Sequence, residues 1–206
     1  MSLGSLPEAT LERLGDYTFV TCDGVGHSLS SLVDRAARVA GSLVAQGISP
    51  GDRVGMVMAN SPEVLVASFA IWRIGAAVMP VIPAVTPAEL GHILTDSGAK
   101  AVFASTATAG LVTSAVPDQL LLGEGTPLPF GRLEAAEPAA VVPRRDDDLA
   151  ALLYTGGTTG RAKGVMLTAA NLVAVSQARQ QVVEAAGTRS VLVRCRCRTS
   201  SGSSTG

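Results

Sequence analysis

The residues best suited to chemistry lie in one stretch, YTGGTTGRAKGV, from Tyr154 to Val165, which holds four glycines, three threonines and one lysine. Glycines allow positive φ angles and a close approach to a ligand, and exposed backbone N–H groups in such a turn form an anion-binding concavity. Threonine hydroxyls add donors, and lysine adds a compact positive charge suited to phosphate oxygens. The composition therefore predicts a polyphosphate-binding loop, with ATP as the leading candidate.

The candidate binding residues of this loop share small size, hydroxyl groups or positive charge. They are Thr155, Gly156, Gly157, Thr158, Thr159, Gly160 and Lys163. Lys163 is a specific choice, because the chain has 14 arginines and only two lysines. The spacing differs from the common nucleoside-triphosphate loop G-x-x-x-x-G-K-S/T, since Ala162 precedes the lysine and Gly164 follows it. A glycine-rich hairpin without a ligand is the alternative explanation.

The segments that must position this loop alternate between apolar runs of strand length and amphipathic helices. Strands are predicted at 17–22, 53–59, 76–83, 100–105, 149–154, 165–168 and 190–193, and helices at 28–47, 62–75, 87–98 and 171–186. The strands are continuous apolar runs, which is typical of parallel strands buried on both faces. We therefore predict an α/β fold with mostly parallel sheets flanked by helices. On the helix at 28–47, Arg35 is expected on the solvent face.

The domain organisation is inferred from breaks in this alternation. Prolines and the charge run RRDDD interrupt residues 123–145, which we interpret as a surface connection between two subdomains. The prediction is a first α/β subdomain at 1–142, the start of a second at 143–193 and an aberrant, disordered polar tail at 194–206.

Composition and charge exclude several functions. A net charge of −1 and 3% aromatic residues argue against nucleic-acid binding. Prolines and charges interrupt the most apolar region, 54–85, so no transmembrane segment is predicted and the expected location is the cytoplasm. The three cysteines fit neither a disulfide framework nor a zinc site. His27 and His92 are expected to have no catalytic role, and no metal ligands are assigned to the chain.

The loop resembles the signature of adenylate-forming enzymes, Y/F-T-S-G-T-T-G-x-P-K-G-V, the superfamily of acyl-CoA synthetases, luciferases and peptide-synthetase adenylation domains. Gly156 stands for the usual serine and Ala162 for the usual proline. Following it, LTAANL keeps the asparagine of the family's LTHRNL but has Ala169 where histidine often lies. Upstream, GDRVGMVMANSPEVLVASFAIWRIGAAVMPVIP and ELGHILTDSGAKAVF are similar to further family blocks. The resemblance covers residues 11–193 and implies a partial N-terminal domain of the adenylate-forming fold.

The resemblance implies ATP-dependent activation of a carboxylic acid, expected to be a fatty acid, to an acyl-adenylate, followed by transfer to a thiol. The implied cofactors and partners are ATP, Mg2+ and coenzyme A, with a carrier protein as an alternative acceptor. The family's other functional motifs are absent, so we expect a fragment that is inactive alone. The alternative is a non-catalytic remnant with weak phosphate binding or an interaction role. An unfinished sheet edge after Val193 predicts self-association.

The tail suggests a change of reading frame after Val193. With suitable codons, RCRCRTSSGS read from one nucleotide earlier becomes PLPLPHVFGL, which is similar to the family's usual continuation LPLFHVFGL. We predict that the coding DNA contains this overlapping frame. A DNA sequence in which no frame encodes that peptide would contradict the hypothesis.

Overall fold

The computed structural model describes residues 2–155 and 161–185. After a short 3-10 helix (Leu3–Ser5), seven α-helices are found in this part of the chain: α1 (Leu6–Leu14), α2 (Leu29–Ala45), α3 (Pro62–Arg73), α4 (Pro87–Ser97), α5 (Ala109–Ala115), α6 (Phe130–Leu133) and α7 (Ala169–Ala185). The strands are β1 (Thr18–Cys22), β2 (Val25–Ser28), β3 (Arg53–Val57), β4 (Ala77–Pro80), β5 (Ala101–Ala104), β6 (Leu120–Leu122), β7 (Leu149–Thr155) and β8 (Lys163–Thr168). The predicted strand at 190–193, the sheet edge beyond it and the tail at 194–206 lie outside the described residues.

Six of these strands form one sheet in the order β6-β5-β3-β4-β7-β8. Every neighbouring pair is parallel except β7 and β8, which are antiparallel. Strands β1 and β2 form a separate antiparallel hairpin. The α/β prediction, with a mostly parallel sheet flanked by helices, is therefore confirmed.

Local signals in the sequence set the helix boundaries. The Ser28 side chain accepts a hydrogen bond from the Ser31 amide at 3.2 Å and caps α2. Thr86 and Glu89 form a reciprocal capping box at the start of α4. Gly98 ends that helix in the left-handed conformation, with φ of 60°. These caps explain why the predicted starts of α2 and α4 are confirmed to within one residue.

The helices cover both faces of the sheet, which therefore carries two apolar clusters. Adjacent residues of a strand point to opposite faces, as for Val102 and Phe103 of β5. One cluster packs the sheet against α2 and α3, and the other packs it against α4 and α5. Burial on both faces explains why the strands are continuous apolar runs.

Residues 123–145 do more than cross the surface, and our expectation for this segment is wrong in that respect. Phe130 and Leu133 are 3% and 1% exposed. The Phe130 ring stacks on Phe103 with 5.6 Å between centroids. Apolar side chains in a proline-rich segment were overlooked because they show no periodicity. The division at 142/143 stays a prediction, although β7 and β8 lie in the same sheet as β3–β6.

Arg35 is half-buried, so our prediction of a solvent-facing side chain is wrong. Its guanidinium bridges Glu63 on α3 and Glu134 just after α6, each at 2.9 Å. The two partners are distant in sequence, so helical periodicity could not reveal them. This network joins α2 and α3 to the 123–145 segment.

Among the helices in residues 2–155 and 161–185, none combines the length and the apolar composition that a membrane span requires.

The contact between α2 and the 123–145 segment makes a test of the packing possible. A Cβ at Gly41 of α2 would overlap the carbonyl oxygen of Glu137, whereas a Cβ at Gly110 of α5 would meet nothing within 4 Å. We expect Gly41→Ala to lower the free energy of unfolding by roughly 1–3 kcal/mol. Gly110→Ala, the matched control, is expected to be neutral or to stabilise by up to about 1 kcal/mol. Urea denaturation followed by fluorescence of Trp72, the one tryptophan, measures both, and equal effects would contradict this packing.

Candidate functional site

The candidate site is the hairpin formed by β7 and β8. Thr155 ends β7, Lys163 begins β8, and the two residues pair directly across the hairpin. Both are exposed, whereas Ala150, Ala151 and Leu152 earlier in β7 are buried. Buried β7 therefore anchors a hydroxyl and an ammonium side by side at an exposed hairpin end. Predicted binding residues Gly156, Gly157, Thr158, Thr159 and Gly160 lie outside the described residues.

Tyr154 connects this hairpin to helix α4. Its hydroxyl donates a 2.6 Å hydrogen bond to Oδ2 of Asp96 in the last turn of α4. Burial and this bond to a carboxylate raise the pKa of Tyr154 to about 12. Tyr154 pairs across the hairpin with Gly164, and a Cβ at Gly164 would lie 3.2 Å from Tyr154 Cζ. The tyrosine therefore contacts both α4 and β8.

An open cleft of about 520 Å³ lies between α4 and the hairpin. Its polar walls come from Glu89 and His92 of α4, from Tyr154 and from Arg161. Apolar lining comes from Pro80, Val81, Ile82, Val85, Ala88, Ile93 and Ala162. The cleft starts at the carboxyl end of β4, the edge at which parallel sheets commonly bind ligands. His92, for which we predicted no catalytic role, lines this cleft.

The chain leaves the hairpin through a capped helix start. The Asn171 side chain accepts from the Thr168 amide at 3.0 Å, and Thr168 Oγ1 accepts from the Asn171 amide at 3.3 Å. The amides of Ala169 and Ala170 donate to the carbonyl oxygens of Asp148 and Asp146. Thr168 therefore caps α7, and Asn171 in the LTAANL motif has a structural role because its side chain completes the capping box.

The aspartates of the RRDDD run act within the chain. Asp148 forms an ion pair with Arg144 at 3.0 Å, and Asp147 forms one with Arg145 at 2.9 Å. In residues 2–155 and 161–185, no group of three or more His, Cys, Asp or Glu side chains could hold a metal ion.

Of the seven predicted site residues, the structure describes Thr155 and Lys163 and brings them together. Sequence reasoning missed Asp96, which is 58 residues from its partner Tyr154. It also missed Arg161, which precedes Lys163 by two residues and lines the cleft. The position of Arg161 within the loop motif could have indicated that it belongs to the site, whereas no sequence pattern indicates the contact of Asp96.

The hairpin and its sheet match known proteins. Residues 7–194 match the AMP-binding enzyme family. A feruloyl-CoA synthase of an Amycolatopsis species is 36% identical over 171 residues, covering 82% of this chain and 34% of that protein. A long-chain-fatty-acid–CoA ligase of Escherichia coli is 32% identical, covering 84% of this chain and 37% of that protein. ATP-bound MatB from Rhodopseudomonas palustris superposes with a TM-score of 0.73 and 34% identity, over 89% of this chain and 38% of MatB.

The chain thus spans about a third of the length of these two curated relatives. The family match includes the sheet, the hairpin and α7. The recognised motifs, the fold and the relatives agree, and the chain belongs to the AMP-binding enzyme family, the adenylate-forming superfamily.

Proposed function

We propose that the β7–β8 hairpin binds the phosphates of ATP and that the chain is part of an enzyme that activates a carboxylic acid as an acyl-adenylate. The pairing of exposed Thr155 with exposed Lys163 at the two ends of the glycine loop carries this proposal. The ATP-bound state of MatB, which shares this fold at 34% identity, supports it.

In the proposed reaction, the acid attacks the α-phosphate of ATP, the acyl-adenylate forms and pyrophosphate leaves. Lys163 would hold the β- and γ-phosphate oxygens by charge, and the Thr155 hydroxyl would donate a hydrogen bond to them. Such preorganised donors stabilise the charge that develops on the departing pyrophosphate. The residues of the loop, Gly156, Gly157, Thr158, Thr159 and Gly160, are proposed to contribute backbone N–H groups and hydroxyls.

Mg2+ would enter this site with ATP and neutralise phosphate charge. Hard cations of this kind take oxygen ligands, often from substrate phosphates together with few protein groups. At the described hairpin end, the Thr155 hydroxyl is the side-chain oxygen that could bind a metal ion. This single oxygen fits a metal ion that is held mainly by ATP.

The proposal also covers the carboxylic acid substrate and the thiol that accepts its acyl group. Coenzyme A is our proposed acceptor thiol, and the names of both curated relatives support it. A fatty acid is the specific acid we propose, in line with the Escherichia coli ligase, whereas the Amycolatopsis enzyme is named for feruloyl-CoA. A location in the cytoplasm stays a prediction, and so does self-association through the unfinished sheet edge after Val193. A remnant that binds phosphate without catalysis is the second candidate.

The two lysines of the chain give a matched test of phosphate binding. We expect Lys163→Ala to weaken ATP affinity about 10- to 100-fold, because a hydrogen bond to a charged group contributes roughly 1.5–3 kcal/mol. Lys100→Ala removes the other exposed lysine, which lies just before β5, and should leave the affinity unchanged. Calorimetric titration with ATP and Mg2+ measures both variants. Equal ATP affinity of the wild-type chain and Lys163→Ala would contradict the proposal.

A further inference from the structure

We propose that Tyr154 is a positioning residue, which ties the phosphate-binding hairpin to α4 through Asp96 and thereby sets the affinity for polyphosphate. The inference rests on the proposed function of the hairpin and adds a residue that need not touch ATP. Tyr154 precedes Thr155 directly and faces Gly164, the neighbour of Lys163. Tyr154 is therefore next to Thr155 on β7, and its cross-strand partner is next to Lys163 on β8.

The far end of this tie is itself fixed. Arg53, the first residue of β3, donates from Nε to the carbonyl oxygen of Ser97 at 2.8 Å and from Nη2 to that of Gly98 at 3.3 Å. A guanidinium at these carbonyls caps the carboxyl end of α4 and complements its dipole. Asp96 therefore belongs to a helix turn that is bonded to a central strand of the sheet.

The near end of the tie depends on close packing at Gly164. A Cβ there would lie 3.2 Å from Tyr154 Cζ, 3.4 Å from its hydroxyl oxygen and 3.1 Å from Leu152 Cδ1. The ring therefore fills the space beside β8 that a side chain would occupy. Without the bond to Asp96, the ring could turn, and β8 would lose the surface that fixes it.

Hydrogen exchange and calorimetry together test the tie. We expect Tyr154→Phe and Asp96→Ala to speed amide exchange in residues 163–166 while β3 and β5 stay protected. Both variants should bind tripolyphosphate about three- to tenfold more weakly than the wild-type chain, because one hydrogen bond contributes roughly 0.5–1.5 kcal/mol. The double variant should lose no more than either single variant, since both remove the same bond. Asp96→Asn keeps an acceptor oxygen and should restore most of the affinity.

Tyr17→Phe and Asp118→Asn are the controls, since they change a tyrosine in the β1–β2 region and an exposed aspartate between α5 and β6. Trp72 fluorescence verifies that every variant is folded at the assay temperature. If the wild-type chain binds tripolyphosphate and both Tyr154→Phe and Asp96→Ala bind equally well, the tie is wrong and the proposed function stands. If the wild-type chain binds neither tripolyphosphate nor ATP, the proposed function fails, and the positioning role fails with it.

The pH dependence of stability gives a second readout. Burial and the bond to Asp96 raise the pKa of Tyr154 from 10.0 to about 12, so both favour the neutral hydroxyl in the folded chain. The stability that this hydroxyl contributes is fully present below pH 10 and is lost as pH rises towards 12. Arg53 opposes the shift, and Glu89, His92 and Arg161 are the other ionisable groups of the cleft. The difference in urea midpoint between wild type and Tyr154→Phe should shrink between pH 10 and pH 11.5. A difference that stays constant over this range would overturn the assignment of the bond.

Discussion

The parallel pairing of β7 with β4 is the contact on which the site depends. It aligns Val78 with Ala151 and brings a hairpin from late in the chain into a sheet built from earlier segments. The indole N–H of Trp72 donates to the carbonyl oxygen of Ala150 at 2.9 Å and supports the same strand from α3. Burial of β7 makes its register costly to shift, since a slip of one residue would turn Ala151 and Leu152 to the wrong faces. The buried part of β7 therefore holds the exposed end of the hairpin in a fixed position.

Around this hairpin, apolar side chains support the sheet, and polar side chains lie where they can act. Apolar packing holds the strands on both faces, while charged groups act at the helix ends and along the cleft. Arg53 at the end of α4 and the ion pairs of Arg35 each join elements that are distant in sequence. Lys163, in contrast, is exposed at the hairpin end, where a flexible cation can reach an anion from solvent.

The sequence was sufficient for the elements whose signals are local. Capping residues and continuous apolar runs predicted α2, α4 and the parallel strands, because these depend on neighbours in the chain. The motif also predicted Thr155 and Lys163 as binding residues, and the structure shows that they pair across the hairpin. Three other features depend on contacts between distant segments, and no local pattern encodes them. They are the burial of Phe130, the ion pairs of Arg35 and the bond between Tyr154 and Asp96. The resemblance to the family predicted the phosphate-binding role of the loop, whereas the contacts that position the hairpin became apparent only in the folded structure.

We propose above all that the hairpin holds the terminal phosphates of ATP through Lys163. Phosphorus NMR of ATP titrated with the chain tests it most directly, because each phosphate has its own resonance. We expect the β- and γ-phosphate resonances to shift on binding, and we expect Lys163→Ala to reduce these shifts strongly at the same concentrations. Shifts that persist unchanged in Lys163→Ala, or that are confined to the α-phosphate, would contradict it.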